Sequence, residues 1–388
     1  MTKQSRDAIA ELAGVAENPD EYIAQWKRDK NRKVVGLMPM NFPAEIAHAA
    51  GALPVVIQQK RTPITIGNNR LTEFHCGYTR SVADQAAKKE LGLYDGFMLA
   101  DHCIQLLGAS DIIRDESPEV PMYFGQLISS MGDPWSREQI LKKMMSFVRE
   151  IENFTGRMIH ESDLQNSIQL FNENRRLLRQ IFDARRAGDV TFKPSELQAF
   201  VKSSMVMDKQ EHSALLRQVL ETAAARPSGA GLIKLHISGH FCHAPKTELL
   251  ELIEDCGAII VDDDLFHGTR YISTDIGESK APIEALADWY LDRNVAAPCP
   301  TRVQHDVDWD RYLLNLVAES GAEGLVVLMA KFCEPHMLYY PELRKALNAR
   351  GIPHVLIETE HEGIPVETIR TRIEAMLERI RRKEPSAA

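Results

Sequence analysis

A chain of 388 residues, 44% hydrophobic and 26% charged, is long enough for two packed cores and too apolar in periodic segments to stay disordered. A formal charge of −9, with no arginine-rich stripe interleaved with aromatics, argues against nucleic-acid binding, and the basic run at 379–383 reads as a helix end. No stretch has the apolar core of a signal peptide or the roughly 20 apolar residues of a membrane helix, so a soluble, cytoplasmic protein with no membrane partner is expected.

Residues 1–30 read as two short helices, with Tyr22, Ile23 and Trp26 spaced to cover a neighbouring surface. A buried strand is predicted over 34–38. The following Pro43-Ala-Glu45 suits a first helical turn, with Glu45 at its positive end and Gly51 as the stop. Apolar runs at 53–57, 96–100 and 121–124 alternate with helical patterns, as in a parallel sheet with crossover helices, and define a first α/β domain over 31–135. From 136 to 226 the pattern becomes long amphipathic helices. Within this connector Ser162 with Gln165 predicts a capping box, and Leu164, Ile168, Phe171, Leu178 and Ile181 share one face. Residues 223–231 have linker composition, after which strands are predicted at 232–237, 258–261, 324–329 and 354–357 in a second α/β domain over 227–388. The fold class is therefore α/β: two open parallel-sheet domains, Rossmann- or flavodoxin-like, joined by a helical segment, with the active-site cleft between them.

Six cysteines are too few for a disulfide framework, so each is core filler, nucleophile or metal ligand. Three of them, Cys76, Cys103 and Cys333, stand in polar contexts: His75-Cys76-Gly77, Asp101-His102-Cys103 and Lys331-Phe332-Cys333-Glu334. Cys103 and Cys333 each follow a predicted strand, where ligands bind in open parallel sheets. Together the three suggest a three-thiolate iron–sulfur site, which leaves one iron free for water, a thiol or a substrate oxygen. No Cys-x-x-Cys pair supports a zinc ribbon or ferredoxin cluster. Cys256 is read as opening an apolar strand, in the core. Cys242, in His240-Phe-Cys242-His243, and Cys299, between two prolines, stay open. Glu45 is a helix-start carboxylate or an acid–base group, and Asp262-Asp263-Asp264 a solvated turn or a hard-cation site, with Asp263 and Arg270 as cleft-lining partners. The chain has no phosphate loop: the segment from Gly239 to Thr247 lacks the second glycine, so any ATP chemistry belongs to another chain.

These motifs resemble the 2-hydroxyacyl-CoA dehydratase and benzoyl-CoA reductase family. The resemblance runs over most of the chain through Pro43-Ala-Glu45-Ile-Ala-His-Ala-Ala-Gly51-Ala-Leu-Pro54, His75-Cys76-Gly-Tyr-Thr-Arg80, Asp101-His-Cys103, the turn from Asp263 to Arg270, Lys331-Phe-Cys333-Glu-Pro-His336 and Gly351-Ile-Pro353. It implies a [4Fe–4S] cluster on Cys76, Cys103 and Cys333. Within the family the chain looks most like the C, or gamma, subunit of the ATP-dependent benzoyl-CoA reductase. That role implies a heterotetramer with a related cluster-bearing subunit and two ATPase subunits, which use Mg and ATP. A low-potential donor such as ferredoxin would supply electrons, and benzoyl-CoA would be reduced to a cyclic dienoyl-CoA. Glu45, His75 and His102 are the candidate proton donors. The alternatives are a subunit of a 2-hydroxyacyl-CoA dehydratase, which eliminates water through a radical, and a non-catalytic small-molecule binding module.

Overall fold

The computed structural model describes residues 3–39, 42–100, 103–221, 229–363 and 365–383. Two helices open the chain, α1 (Lys3–Glu17) and α2 (Pro19–Lys30), the latter with Pro19 in its first turn, acids at its start and bases at its end, as the helix dipole favours. Strand and helix then alternate through β1 (Val34–Leu37), α3 (Ala44–Ala49), β2 (Leu53–Val56), α4 (Gly67–Arg70), α5 (Gly77–Ala87), β3 (Gly96–Ala100), α6 (Ile104–Glu116) and β4 (Met122–Gly125). β1, β2 and β3 are buried along their whole length, because helices cover a parallel sheet on both faces.

Four helices follow, α7 (Ser136–Thr155), α8 (Glu161–Arg186), α9 (Pro194–Ser204) and α10 (Lys209–Leu220). The apolar face expected on α8 is buried. Its start differs from the expected Ser162–Gln165 pair. The Asp163 carboxylate accepts the His160 amide at 3.1 Å, which places a negative charge at the positive helix end, and Ser162 falls inside the first turn. Residues 223–228 of the expected linker lie outside the described residues.

The second half comprises β5 (Ile233–Gly239), α11 (Thr247–Asp255), β6 (Ala258–Asp263), α12 (Pro282–Ala296), α13 (Trp309–Ser320), β7 (Gly324–Ala330), α14 (Glu334–Ala349), β8 (His354–Thr359) and α15 (Val366–Lys383). Its sheet has the order β6-β5-β7-β8, and the first has β2-β1-β3-β4, with every pairing parallel. One architecture is thus used twice. In each sheet the order reverses between the first and third strands, which opens a crevice at their carboxyl ends. One continuous core joins α1, the first sheet, the helical segment and the β7 face bearing Leu325 and Val327. The opposite face, with Leu235, Ile237, Val326 and Leu328, packs on apolar side chains of α11 and α15. Among the described residues no helix is long and apolar enough to cross a membrane.

Two expectations are corrected here. Cys256 does not open a strand: it caps the C-terminus of α11, and Gly257, at φ 93°, turns the chain into β6. The three aspartates are not a solvated turn. All are buried, because cations from elsewhere in the chain reach two of them: Asp262 receives Arg186 Nη2 at 2.9 Å and Asp264 receives Arg270 Nη2 at 2.9 Å. The partner of Arg270 is therefore Asp264 rather than Asp263.

Asp263 has no cation. Its Oδ1 accepts the Leu265 and Thr269 amides at 3.0 and 2.9 Å, while burial, then the neighbouring Asp262, push its pKa up to about 7. The sign follows from linkage. A folded value above the unfolded value of about 3.9 means that the folded protein holds a proton the unfolded chain has released, so stability falls as pH rises from about 4 to about 7 and then levels. His236, whose Nδ1 lies 3.6 Å from Asp262 Oδ2, is held above its ordinary value by Asp262 despite burial, so its own contribution is present below about 6.5 and is lost only as pH rises beyond that. Urea midpoints measured at pH 5 and pH 8 should differ less in Asp263→Asn than in the unaltered protein. An equal difference in both would refute the assignment.

Candidate functional site: a junction of thiols

Cys76, Cys103 and Cys333 stand at the N-caps of α5, α6 and α14, and none uses its thiol to cap the helix. All three thiols therefore face the positive end of a helix, where anionic sulfur is favoured. Cys103 and Cys333 follow β3 and β7, the strands at which each sheet reverses its order, so the two crevices supply one thiol each. Cys76 enters from the long segment after β2.

Gln105 links the three loops. Its Oε1 accepts the Cys76 amide at 2.8 Å, and its Nε2 donates to the Phe332 carbonyl at 2.5 Å. One buried amide, two residues after Cys103, thus positions the backbone at both other cysteines. Nothing in the local sequence marked it, because its partners are 29 and 227 residues away.

Burial, then the neighbouring Cys76, push the Cys103 thiol up to about 12. Burial also raises Cys76 and Cys333, the latter further through Cys76 and Cys103. These thiols keep their protons until a metal displaces them, as a coordinating thiol does. Two more thiols belong to the group. Cys242, on the loop after β5, is raised first by burial and then by Cys103, Cys76, Cys333 and Cys299. Cys299 is buried and has its Sγ 3.1 Å from Thr301 Oγ1. Among the described residues no three His, Cys, Asp or Glu side chains close around a single metal ion. A four-iron cube would take each thiolate at a separate corner, and the three thiols at the helix N-caps are donors of the chemistry it needs.

The candidate proton donors are placed differently. His75 lies beside Cys76, with Nδ1 3.2 Å from Thr72 Oγ1, while His102 lies outside the described residues. Glu45 is 2% exposed in the first turn of α3, and its Oε1 accepts from Arg175 Nη1 at 2.8 Å. It lines a cavity with Phe42, Phe171, Tyr271, Trp289 and Arg293 at the carboxyl end of β1. Arg175 was invisible in the sequence, being 130 residues away on α8.

Residues 39–380 match the family described as 2-hydroxyglutaryl-CoA dehydratase, D-component. The (R)-phenyllactyl-CoA dehydratase beta subunit of Clostridium sporogenes is 26% identical over 370 residues, covering 94% of this chain and 96% of that one. The benzoyl-CoA reductase C subunit of Thauera aromatica is 24% identical over 369 residues, with 94% and 95% covered. The lactoyl-CoA dehydratase beta subunit of Anaerotignum propionicum is 26% identical over 377 residues, with 95% and 98% covered. With a family match that covers every strand but β1 and all six cysteines, the chain belongs to the 2-hydroxyglutaryl-CoA dehydratase D-component family.

Proposed function

We propose that this chain is the cluster-bearing subunit of a hetero-oligomeric enzyme acting on a CoA thioester, with Cys76, Cys103 and Cys333 holding a [4Fe–4S] cluster, and that its reaction is the ATP-dependent reduction of benzoyl-CoA to a cyclic dienoyl-CoA. The observation that carries the reading is the arrangement of three thiols at three helix N-termini, drawn from both sheets and tied by Gln105. Such a cluster supplies low-potential electrons, with a potential set by burial, charge and hydrogen bonds to sulfur. The protein's own part is to keep water from the thiols, hold the three loops in register through Gln105, and favour negative charge through the helix ends.

Assembly with a related subunit is supported by apolar side chains exposed around the thiols. Phe74, Ile104 and Leu338 are 66%, 68% and 78% exposed, each within five residues of one of the three cysteines. A partner subunit would cover them. ATP hydrolysis is assigned to further subunits, since this sequence offers no phosphate loop.

The second reading, radical elimination of water from a 2-hydroxyacyl-CoA, is favoured by the full-length likeness to two dehydratase beta subunits. Identities of 26% and 24% do not rank the two chemistries, but stoichiometry does. Given the complete complex, a strong reductant and MgATP, the ring reduction is expected to consume ATP in every turnover, because each electron pair must be driven to low potential anew. Dehydration returns its electron, so its ATP per product falls towards zero over many turnovers while an enoyl-CoA accumulates. That second result would overturn the reductase reading.

A further inference from the structure

We propose that Lys202, Lys246 and His243 form a phosphate-binding site in the cavity between the loop after β2, α9, the loop from β5 to α11 and the end of β8, and that the site takes a terminal phosphate monoester or the free phosphate dianion. It uses none of the three cysteines assigned to the cluster, so the inference does not rest on that reading.

The cavity walls are tied together by hydrogen bonds between segments far apart in the chain. Gln59 Nε2 donates to His361 Nδ1 at 2.5 Å, and His361 Nε2 donates to the Thr62 carbonyl at 2.8 Å. On the other side, Gln198 Nε2 of α9 donates to the Pro245 carbonyl at 2.9 Å, and His240 Nε2 stands 2.6 Å from Thr359 Oγ1. The walls are thus set before any ligand arrives, which spares binding the cost of ordering them.

Within these walls the charges do not balance. Lys60, Arg61, Lys202 and Lys246 line the cavity with one acid, Glu360. Lys60 is met by Asp20 and Glu90, both at 3.0 Å, Arg61 by Glu248 at 3.2 Å, and Glu360 by Lys331 at 2.5 Å. The ammonium groups of Lys202 and Lys246 make no hydrogen bond or ion pair among the described residues. Burial holds Lys202 below its ordinary value, opposed only in part by Glu17. A cation withdrawn from water without a partner is costly, and a bound anion offsets that cost.

His243 supplies the independent sign of a ligand. It is 9% exposed, lines the same cavity, and its ring makes no hydrogen bond among the described residues, stacking only on His240 with centroids 4.3 Å apart. Burial and then His361 hold its pKa down to about 4, so at neutral pH the uncharged ring offers one N–H. Two unpaired ammonium groups match the charge of a phosphate monoester, about −1.5 to −2 at pH 7, and with the imidazole they give one donor to each of its three terminal oxygens. A single carboxylate has one charge and two oxygens, and would leave a donor unmet. The nine-residue α11 begins directly after Lys246, and its positive end adds to the attraction, while Glu248 in its first turn is drawn to Arg61. Pro245 stands before Lys246-Thr247 where a phosphate loop has glycine. The anion is therefore held by side chains from several elements instead of a backbone cradle.

Calorimetric titration of the anaerobic, nucleotide-free complex with inorganic phosphate and with CoA tests the site. Lys202→Gln and Lys246→Gln should each weaken inorganic phosphate binding at one site per copy of this chain by roughly tenfold or more, the usual cost of losing a charge-assisted hydrogen bond. Lys345→Gln, which alters an exposed lysine paired with Glu342, should bind as the unaltered complex does. An equal loss for CoA identifies the thioester of the proposed function as the source of the phosphate, and a loss confined to inorganic phosphate identifies the free ion; both outcomes support the site. Unchanged affinity for both probes in both cavity variants would overturn the proposal, as would a loss seen with succinate and with neither phosphate probe. If a lysine variant fails to assemble, His243→Gln takes its place with the same expected loss, and undiminished phosphate binding there would overturn the proposal equally.

Discussion

Alanine in place of Cys76, Cys103 or Cys333 is expected to strip nearly all the iron and sulfide that this chain holds in the anaerobically purified complex. Each of these thiols sits at the positive end of a different helix, α6 and α14 following β3 and β7 and α5 following the long segment after β2. Removing one takes away a ligand that the helix end favours as anionic sulfur, typically by about 0.3–1 kcal/mol per helix terminus and more when partly buried. Cys256→Ala is the control: that thiol packs on the second core, beside Arg370, and its loss should cost about 1 kcal/mol of stability and no iron. Full iron and sulfide in any of the three variants would strike that residue from the ligand set.

Arg270→Met should destabilise the fold by about 3–5 kcal/mol, the usual cost of leaving a buried charge without its partner. Arg270 is 1% exposed and Asp264 is fully buried, with Nη2 and Oδ2 2.9 Å apart. The guanidinium also donates to the carbonyls of Asp264, Ala297 and Pro298, and lies 4.9 Å over the Phe241 ring. Asp264 in turn accepts from Trp309 Nε1 and the Gly239 amide. Methionine fills the space but supplies none of these donors. In urea denaturation the double variant with Asp264→Asn should lose less than the sum of the two single losses, because it removes the orphaned charge. Strict additivity would show that the pair is not coupled.

All eight strands could be located from apolar runs bounded by glycine, proline and polar residues, whereas the strand order, the same in both sheets, emerges only in the structure. The ends of β5 and β6 were harder, because Gly239, Asp262 and Asp263 look like turn residues in isolation. They extend the strands only because distant groups complete them: Arg186 and His236 beside Asp262, and the close approach of Leu328 to Gly239. The site divides in the same way. Three cysteines in polar contexts were visible, whereas Gln105 is unremarkable until tertiary structure sets it between two of their loops. Glu45 was rightly placed in a helical first turn, yet its ion-pair partner Arg175 lies on another helix.

The thiols come from both sheets, and this gives the proposed cluster a mechanical meaning. A group bonded to Cys76 and Cys103 on one side and Cys333 on the other closes a covalent loop across most of the chain, much as a long-range cross-link does. Loop closure of that length removes freedom chiefly from the unfolded ensemble, and metal affinity then becomes folding free energy. Oxygen damage to such a cluster would therefore do more than end electron transfer. It would cut a covalent tie between two halves otherwise held by the backbone, by packing and by hydrogen bonds such as those of Gln105, so that exposure to air should register as a loss of thermal stability as well as of colour.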